Sequence, residues 1–246
     1  MHRFFLESED RISSNEVILN NEESVTHLIK VLRAKNGESI ELISETDLII
    51  AKINVMNTNS VSLIIESIQT LSNESAVQVD LFQCLPKGPK LELILQKNVE
   101  LGIHDFYLVQ SKRCIVDYKP KDVPKKLERL ERVIKEAAKQ SKRERIPSLH
   151  GIMKISEIEE VITSYDAFFI LYEKEKNASL KQHMQTFTGK RIAILVGPEG
   201  GFEASEVERI VMAGAKSVTL GSRILRTETA GFVATTCIQY EIGELD

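Results

Sequence analysis

Between Val77 and Ile242, apolar runs of strand length alternate with stretches of helical spacing, and this alternation constrains the chain more than any other feature. Val77 to Leu85, Phe106 to Val109, Ala167 to Leu171, Ile192 to Val196 and Val218 to Leu220 read as strands. Leu91, Ile94, Leu95, Asn98 and Leu101 form a helical stripe ending at Gly102. Pro124 opens a long amphipathic helix with Leu127, Leu130, Ile134, Ala137 and Ala138 inward. Strands interleaved with helices in this way, the first of them alternating and the others apolar, predict an α/β fold with a mostly parallel sheet covered on both faces. Ligands of such sheets sit at the carboxyl ends of the strands.

The opening of the chain has another texture. From Arg3 to about Ser67 it is mostly strand: Ser39 to Ile43, Leu48 to Val55 and Val61 to Ile65 are β-rich runs separated by polar turns. One helix interrupts them, opened by Glu22-Glu23 and striped by Val25, Leu28, Ile29 and Leu32, with Gly37 beyond it as a turn. Four or five short strands and one helix suggest a small β-barrel. The polar stretch Gln69 to Ser75 reads as a linker, dividing the chain into residues 1–70 and 76–246.

Apolar residues make up 42% and charged residues 28%, enough for a substantial core under a polar surface. There is no run of about 18 apolar residues to cross a membrane, and Met1 to Glu7 turns acidic before a signal-peptide core develops. Cys84, Cys114 and Cys237 are scattered, with no C-x-x-C or H-E-x-x-H spacing, which favours reduced thiols in a cytoplasmic protein without a metal. The net charge of −4 hides an asymmetry. Ser111 to His150 carries 13 Lys or Arg against 6 Asp or Glu, so the remainder stands at −11. A basic sector on an acidic body suits docking to a polyanion; a solvated helix face has the same composition.

Two loops carry candidate chemistry. The strand Ile192 to Val196 runs into Gly197-Pro198-Glu199-Gly200-Gly201-Phe202, with a helix following at Ala204. Glycines let a ligand approach bare backbone. The G-x-x-x-x-G-K-[ST] and G-x-G-x-x-G spacings are both absent, and Glu199 stands where a phosphate would. The loop therefore fits a cationic or neutral polar ligand better than a polyphosphate, and a purely structural turn is the competing reading. The second loop is Leu220-Gly221-Ser222-Arg223-Ile224-Leu225-Arg226-Thr227-Glu228-Thr229-Ala230, again a strand end followed by a helix. Thr227 and Glu228 read as cap and first-turn residues. Arg226 is not required by the fold.

Together these loops resemble the signature of the SPOUT methyltransferases, and more narrowly the family that methylates N3 of a uridine in small-subunit ribosomal RNA. His27-Leu28-Ile29-Lys30-Val31-Leu32-Arg33, Lys97 to Gly102 and Gln140 to Pro147 extend the likeness along the chain. The resemblance implies an N-terminal PUA-like barrel, a C-terminal α/β domain with a trefoil knot, a homodimer, and S-adenosylmethionine held by the knot loops. Cofactor contacts then fall on Leu171, Gly197, Glu199, Gly200, Leu220, Gly221, Ile224, Leu225 and Thr229, with Glu173 a weaker candidate. Arg226 is assigned to stabilising charge on the uracil, and Glu228 to accepting a proton or orienting. RNA contacts are expected from Arg3, Arg33, Lys87, Arg129, Arg132, Lys139, Arg143 and Arg145. Ribose 2′-O-methylation is the near competitor; those relatives carry an arginine after Asn-x-Gly, and Asn98 to His104 contains none. A non-catalytic RNA-binding or ribosome-assembly protein is the other alternative, and the two intact glycine loops argue for an enzyme.

Overall fold

The computed structural model describes residues 1–245. The chain forms two compact units, Met1–Glu74 with Lys139–Arg145, and Ser75–Ala138 with Ile146–Asp246.

In the first unit the elements are β1 (Arg3–Phe5), β2 (Arg11–Ile12), β3 (Glu16–Leu19), α1 (Glu22–Thr26), β4 (Ser39–Ile43), β5 (Asp47–Asn57) and β6 (Ser60–Thr70). They pair in the order β1-β4-β5-β6-β3-β2, parallel at β1–β4 and antiparallel elsewhere. The result is an open half-barrel. Alternation puts Val17, Leu19, Ile40, Leu42, Ile49, Ala51, Ile53, Val61 and Leu63 on one face, against Phe4, Val25 and Leu28. Asn21 caps α1 by accepting the amide of Ser24. The apolar spacing predicts an ordinary helix to Leu32, yet His27–Val31 winds as a π-helix. Arg33 then leaves it at φ 50°.

The segment 139–145 belongs to this unit because its charges are bonded there. Arg3 donates to Glu41 at 2.8 Å and to the carbonyl of Arg143 at 3.1 Å. Arg143 pairs with Glu74 at 2.6 Å, Glu144 accepts the amides of Ser72 and Asn73 at 2.8 and 2.7 Å, and the Lys139 ammonium lies over the Phe4 ring. Arg3, Lys139 and Arg143 are 7%, 6% and 8% exposed. Buried cations need internal partners. These three residues, expected to touch RNA, instead fasten a returning segment to the half-barrel.

The second unit runs β7 (Gln78–Cys84), α2 (Lys90–Glu100), β8 (Asp105–Gln110), α3 (Val123–Gln140), β9 (Ser148–Lys154), β10 (Ala167–Leu171), α4 (Leu180–Met184), β11 (Arg191–Val196), α5 (Ala204–Met212), β12 (Lys216–Val218) and α6 (Thr227–Glu241). Its sheet has the order β12-β10-β11-β7-β8-β9, and every pair is parallel. The central strands are buried on both faces; β11 is an apolar run from Ile192 to Val196, whereas β7 buries Asp80 and Gln83 among its apolar residues. Strand β9, which no sequence pattern announces, is a largely exposed edge with a mid-strand glycine, so it carries neither an apolar run nor clean alternation. On one face α2 packs on α6. Buried Asn98 accepts from Thr235 at 2.8 Å and donates to the Ile94 carbonyl at 2.8 Å. Among the described residues no helix is long and apolar enough to cross a membrane.

Candidate active site

Three neighbouring strands, β12, β10 and β11, end on the same edge of the parallel sheet. The loops leaving them enclose a cavity of about 440 Å³, within the roughly 300–1,000 Å³ of small-molecule sites. Leu171–Glu173, Val196–Phe202 and Val218–Thr227 supply its wall, with Lys90 and Ala230. The two glycine loops, separate in sequence, share one cleft.

Backbone close to steric limits shapes the first loop. Gly201 has φ 66°, and a Cβ there would sit 2.9 Å from the Glu173 carboxylate. At Gly197 a Cβ would meet the buried Phe202 ring at 3.0 Å. The loop is clamped from outside: Arg113 donates to the Gly200 carbonyl at 2.9 Å and to Glu203 at 2.9 Å. Glu199 lines the cavity, but its carboxylate accepts the Lys87 amide at 3.1 Å and the Lys90 ammonium at 2.9 Å. Partial burial alone would raise the Glu199 pKa; Lys90 and the backbone amides overcome that and hold it below the usual range. A cationic ligand therefore finds its open carboxylate at Glu173, which is exposed at the wall.

The second loop offers bare backbone. Thr219 Oγ1 donates to the Gly221 carbonyl at 3.0 Å and accepts its amide at 3.2 Å, closing the turn. Beyond it, the backbone groups of Ser222–Leu225 make no hydrogen bond to other described residues. Unpaired amides and carbonyls beside Leu171, Leu220 and Leu225 suit a flat, hydrogen-bonding, largely apolar group such as adenine. The two loops are tied together beneath the cavity: Thr227 donates to the Gly197 carbonyl at 2.6 Å and accepts from buried Gln83 at 3.0 Å.

Leu171, Gly197, Glu199, Gly200, Leu220, Gly221, Ile224, Leu225 and Arg226 all line the cavity, Ile224 at its exposed rim. Thr229 does not; Thr227 and Ala230, three residues apart on α6, present the inward face instead. Glu228 stands off the wall and approaches it through Lys90, 3.4 Å away. Its Oε2 is buried without a hydrogen bond, so this is an ion pair lacking donor geometry. Lys90 bridges Glu199 and Glu228 and is held above its ordinary pKa, chiefly by Glu199. The arginines of the site are unlike it: no hydrogen bond or ion pair among the described residues holds the exposed side chains of Arg223 and Arg226. Of the expected RNA contacts, Arg33, Lys87, Arg129 and Arg132 are exposed and Arg145 is half-buried. Arg129 pairs with Glu92 at 3.0 Å and Arg132 with Glu128.

Lys90, Gln83, Arg113 and Thr227 are parts of this site that sequence reasoning does not assign to it. Lys90 and Gln83 lie at or just beyond the end of β7, so the strand-end rule could have found them. Arg113 acts from a loop distant in sequence.

Known proteins place these features in a family. Residues 73–239 match the model of an RNA methyltransferase domain, and residues 19–66 that of an RNA methyltransferase PUA domain. Ribosomal RNA small subunit methyltransferase E of Bacillus subtilis is 32% identical over 98% of this chain and 97% of its own. The crystal structure of a protein of that name from Neisseria gonorrhoeae, bound to S-adenosyl methionine, superposes with a TM-score of 0.86 at 31% identity, covering 98% of this chain and 97% of that one. A methyltransferase from Legionella pneumophila in complex with the same cofactor matches at a TM-score of 0.84 and 25% identity, over 97% and 96% of the two chains. The chain belongs to the ribosomal RNA small subunit methyltransferase E family, with an RNA methyltransferase domain preceded by a PUA-type domain.

Proposed function

We propose that this chain transfers a methyl group from S-adenosylmethionine to N3 of a uridine in small-subunit ribosomal RNA. One observation carries the reading: a single cavity at the strand ends joins the unpaired backbone of Ser222–Leu225 to two unpaired arginines, Arg223 and Arg226. The kinship with proteins named for small-subunit ribosomal RNA methylation supports the substrate. The decisive experiment is nucleoside mass spectrometry of ribosomal RNA from a deletion strain, with the gene restored on a plasmid. Loss of 3-methyluridine is expected; loss of a 2′-O-methyl nucleoside would transfer the reading to ribose methylation.

When bound, S-adenosylmethionine supplies an electrophilic methyl group on a sulfonium. The chain's own residues must hold the nucleophile in line with it and exclude water. Leu171, Leu220 and Leu225 provide the apolar wall, and the exposed carboxylate of Glu173 complements positive charge. N3 of uracil carries a proton that must leave before or during attack, and its departure spreads negative charge over the uracil carbonyls. The guanidinium of Arg226, which lines the cavity and has no protein partner among the described residues, is free to turn to the uracil and stabilise that charge. Glu228 serves as an orienting group through Lys90 rather than as the proton acceptor, since it lies off the cavity wall.

The same reading brings a knotted chain path, a homodimer and a cytoplasmic location. Sedimentation equilibrium tests the assembly, with twice the 27.8 kDa chain mass expected. RNA is engaged by the exposed cations, among them Lys119, Lys121, Lys125 and Arg129 in the second unit and Arg33 in the first.

A further inference from the structure

At the amino ends of the parallel strands, opposite the cavity, three neighbouring strands bring two imidazoles and two carboxylates together. Asp80 is the third residue of β7, Asp105 opens β8 with His104 just before it, and His150 is the third residue of β9. His104 Nδ1 lies 3.2 Å from Asp80 Oδ1 and 3.5 Å from Asp105 Oδ2. His150 Nε2 lies 3.3 Å from the same Asp105 Oδ2. The donor atoms of Asp80, His104 and Asp105 all fall within 4.8 Å of one another.

Hydrogen bonds serve this arrangement incompletely. A single N–H at His104 Nδ1 can point at one of the two carboxylates beside it, whereas an ion at the centre serves every edge. Tetrahedral zinc, with bonds of about 2.0–2.2 Å to nitrogen and oxygen, holds neighbouring ligand atoms roughly 3.3–3.5 Å apart. The three separations here fall in or beside that range. Each ligand is also oriented from behind, as metal ligands are. Asp80 Oδ2 accepts the Tyr165 hydroxyl at 2.7 Å and lies 3.6 Å from Arg191, so Oδ1 is turned to the cluster, where it also accepts the Asp105 amide at 3.1 Å. Asp105 Oδ1 accepts the Ser148 amide at 2.9 Å, which leaves Oδ2 facing the two imidazoles. The His150 ring is stacked on Tyr107 at 4.3 Å and 11°. The side chains of Asp80 and Asp105 are 1% and 13% exposed and that of His150 is 44% exposed, a shielded floor with one open side. Two shielded carboxylates this close repel each other, and a divalent cation relieves that repulsion.

We propose that Asp80, His104, Asp105 and His150 bind one zinc ion, which staples the edge strand β9 to β7 and β8. Mixed imidazole and carboxylate donors suit zinc better than magnesium or calcium, which take oxygen alone. Strand β9 has use for a staple: it is a largely exposed edge, it contains Gly151, and its register with β8 shifts between Tyr107 and Leu108. The sequence shows no metal-ligand spacing because the donors come from three strands and only His104 and Asp105 are adjacent. The proposal does not depend on what the cavity binds.

The test uses the full chain, stripped with a chelator, dialysed and titrated with zinc chloride in a calorimeter. One site per chain is expected, with a dissociation constant in the micromolar range or below. Zinc at about a hundredfold excess over that constant should raise Tm by roughly 5 °C, and magnesium should not. X-ray absorption at the zinc edge should show nitrogen and oxygen neighbours without a sulfur shell at about 2.3 Å. His150→Gln and His104→Gln should each weaken zinc binding at least tenfold, while His183→Gln should bind like the parent. His150 is half exposed, so its variant keeps the test valid if the His104 variant fails to fold. Absence of binding overturns the proposal, as does a sulfur shell, equal stabilisation by magnesium, or a His150 variant that binds like the parent.

Discussion

Arg226 and Thr227 are adjacent, and the fold uses them differently. Arg226 is the residue before α6, in extended conformation, and its side chain contributes no cap; a neutral residue would serve the helix equally. Arg226→Ala should therefore reduce turnover by roughly a hundredfold or more while leaving affinity for S-adenosylmethionine within a few-fold, measured by single-turnover assay and calorimetry. Unchanged turnover removes Arg226 from the mechanism. Thr227 is buried and joins Gln83 to the Gly197 carbonyl. Thr227→Val keeps the shape and deletes both bonds, leaving buried polar groups unpaired at about 1–3 kcal/mol. Its signature should be a lower Tm together with a raised KM for the cofactor and a smaller change in kcat. In the sequence Arg226 is conspicuous because nothing apolar around it needs a charge. Thr227 is hidden there, since a threonine at a helix start already has a local explanation, and its partners lie far away at Gln83 and Gly197.

At the scale of elements, the parallel strands and the loops that leave them were legible because burial on both faces imposes largely apolar runs. Strand β9 and the π-helical turn were not, since an exposed edge strand needs no pattern and a π-turn shares its residue types with an ordinary helix. The positive φ of Gly201 is a further constraint of this kind. Gly201→Ala adds a Cβ 2.9 Å from the Glu173 carboxylate in backbone that favours glycine, so cofactor affinity should fall about tenfold while the fold survives, as far-ultraviolet circular dichroism can verify. The segment 139–145 supplies a pH prediction. Burial alone would raise the Glu74 pKa, yet Arg143 and the amides of Glu144 and Arg145 overcome it and hold the group below its ordinary 4.5. A lowered folded-state pKa contributes stability that is complete above 4.5 and is lost as pH falls through the lower folded value. Urea unfolding from pH 7 to pH 3 should show stability falling toward acid, and Glu74→Gln should flatten that dependence. An equally steep curve in the variant would assign the acid sensitivity to another carboxylate.

The whole molecule carries its charge unevenly, and this asymmetry was plain in composition while its division of labour was not. A count of 13 basic residues between Ser111 and His150 cannot separate cations facing solvent from cations bonded inside. Arg143 and Lys139 are buried, whereas Lys119, Lys121 and Lys125 are exposed. Only exposed cations release counterions when RNA binds, because a guanidinium already paired with Glu74 neutralises no phosphate. The two groups should therefore separate in one salt titration against a fragment of small-subunit ribosomal RNA. Replacing Lys119, Lys121 and Lys125 together by Gln should leave Tm nearly unchanged. It should also reduce the slope of log K against log salt by roughly 2, as three phosphates of a single strand are no longer neutralised. Arg143→Gln should do the reverse, keeping the slope and lowering stability by about 3 kcal/mol, the cost of breaking a buried pair. If Arg143→Gln flattens the salt response and the triple lysine variant does not, RNA follows the buried segment and the docking face has been put on the wrong residues.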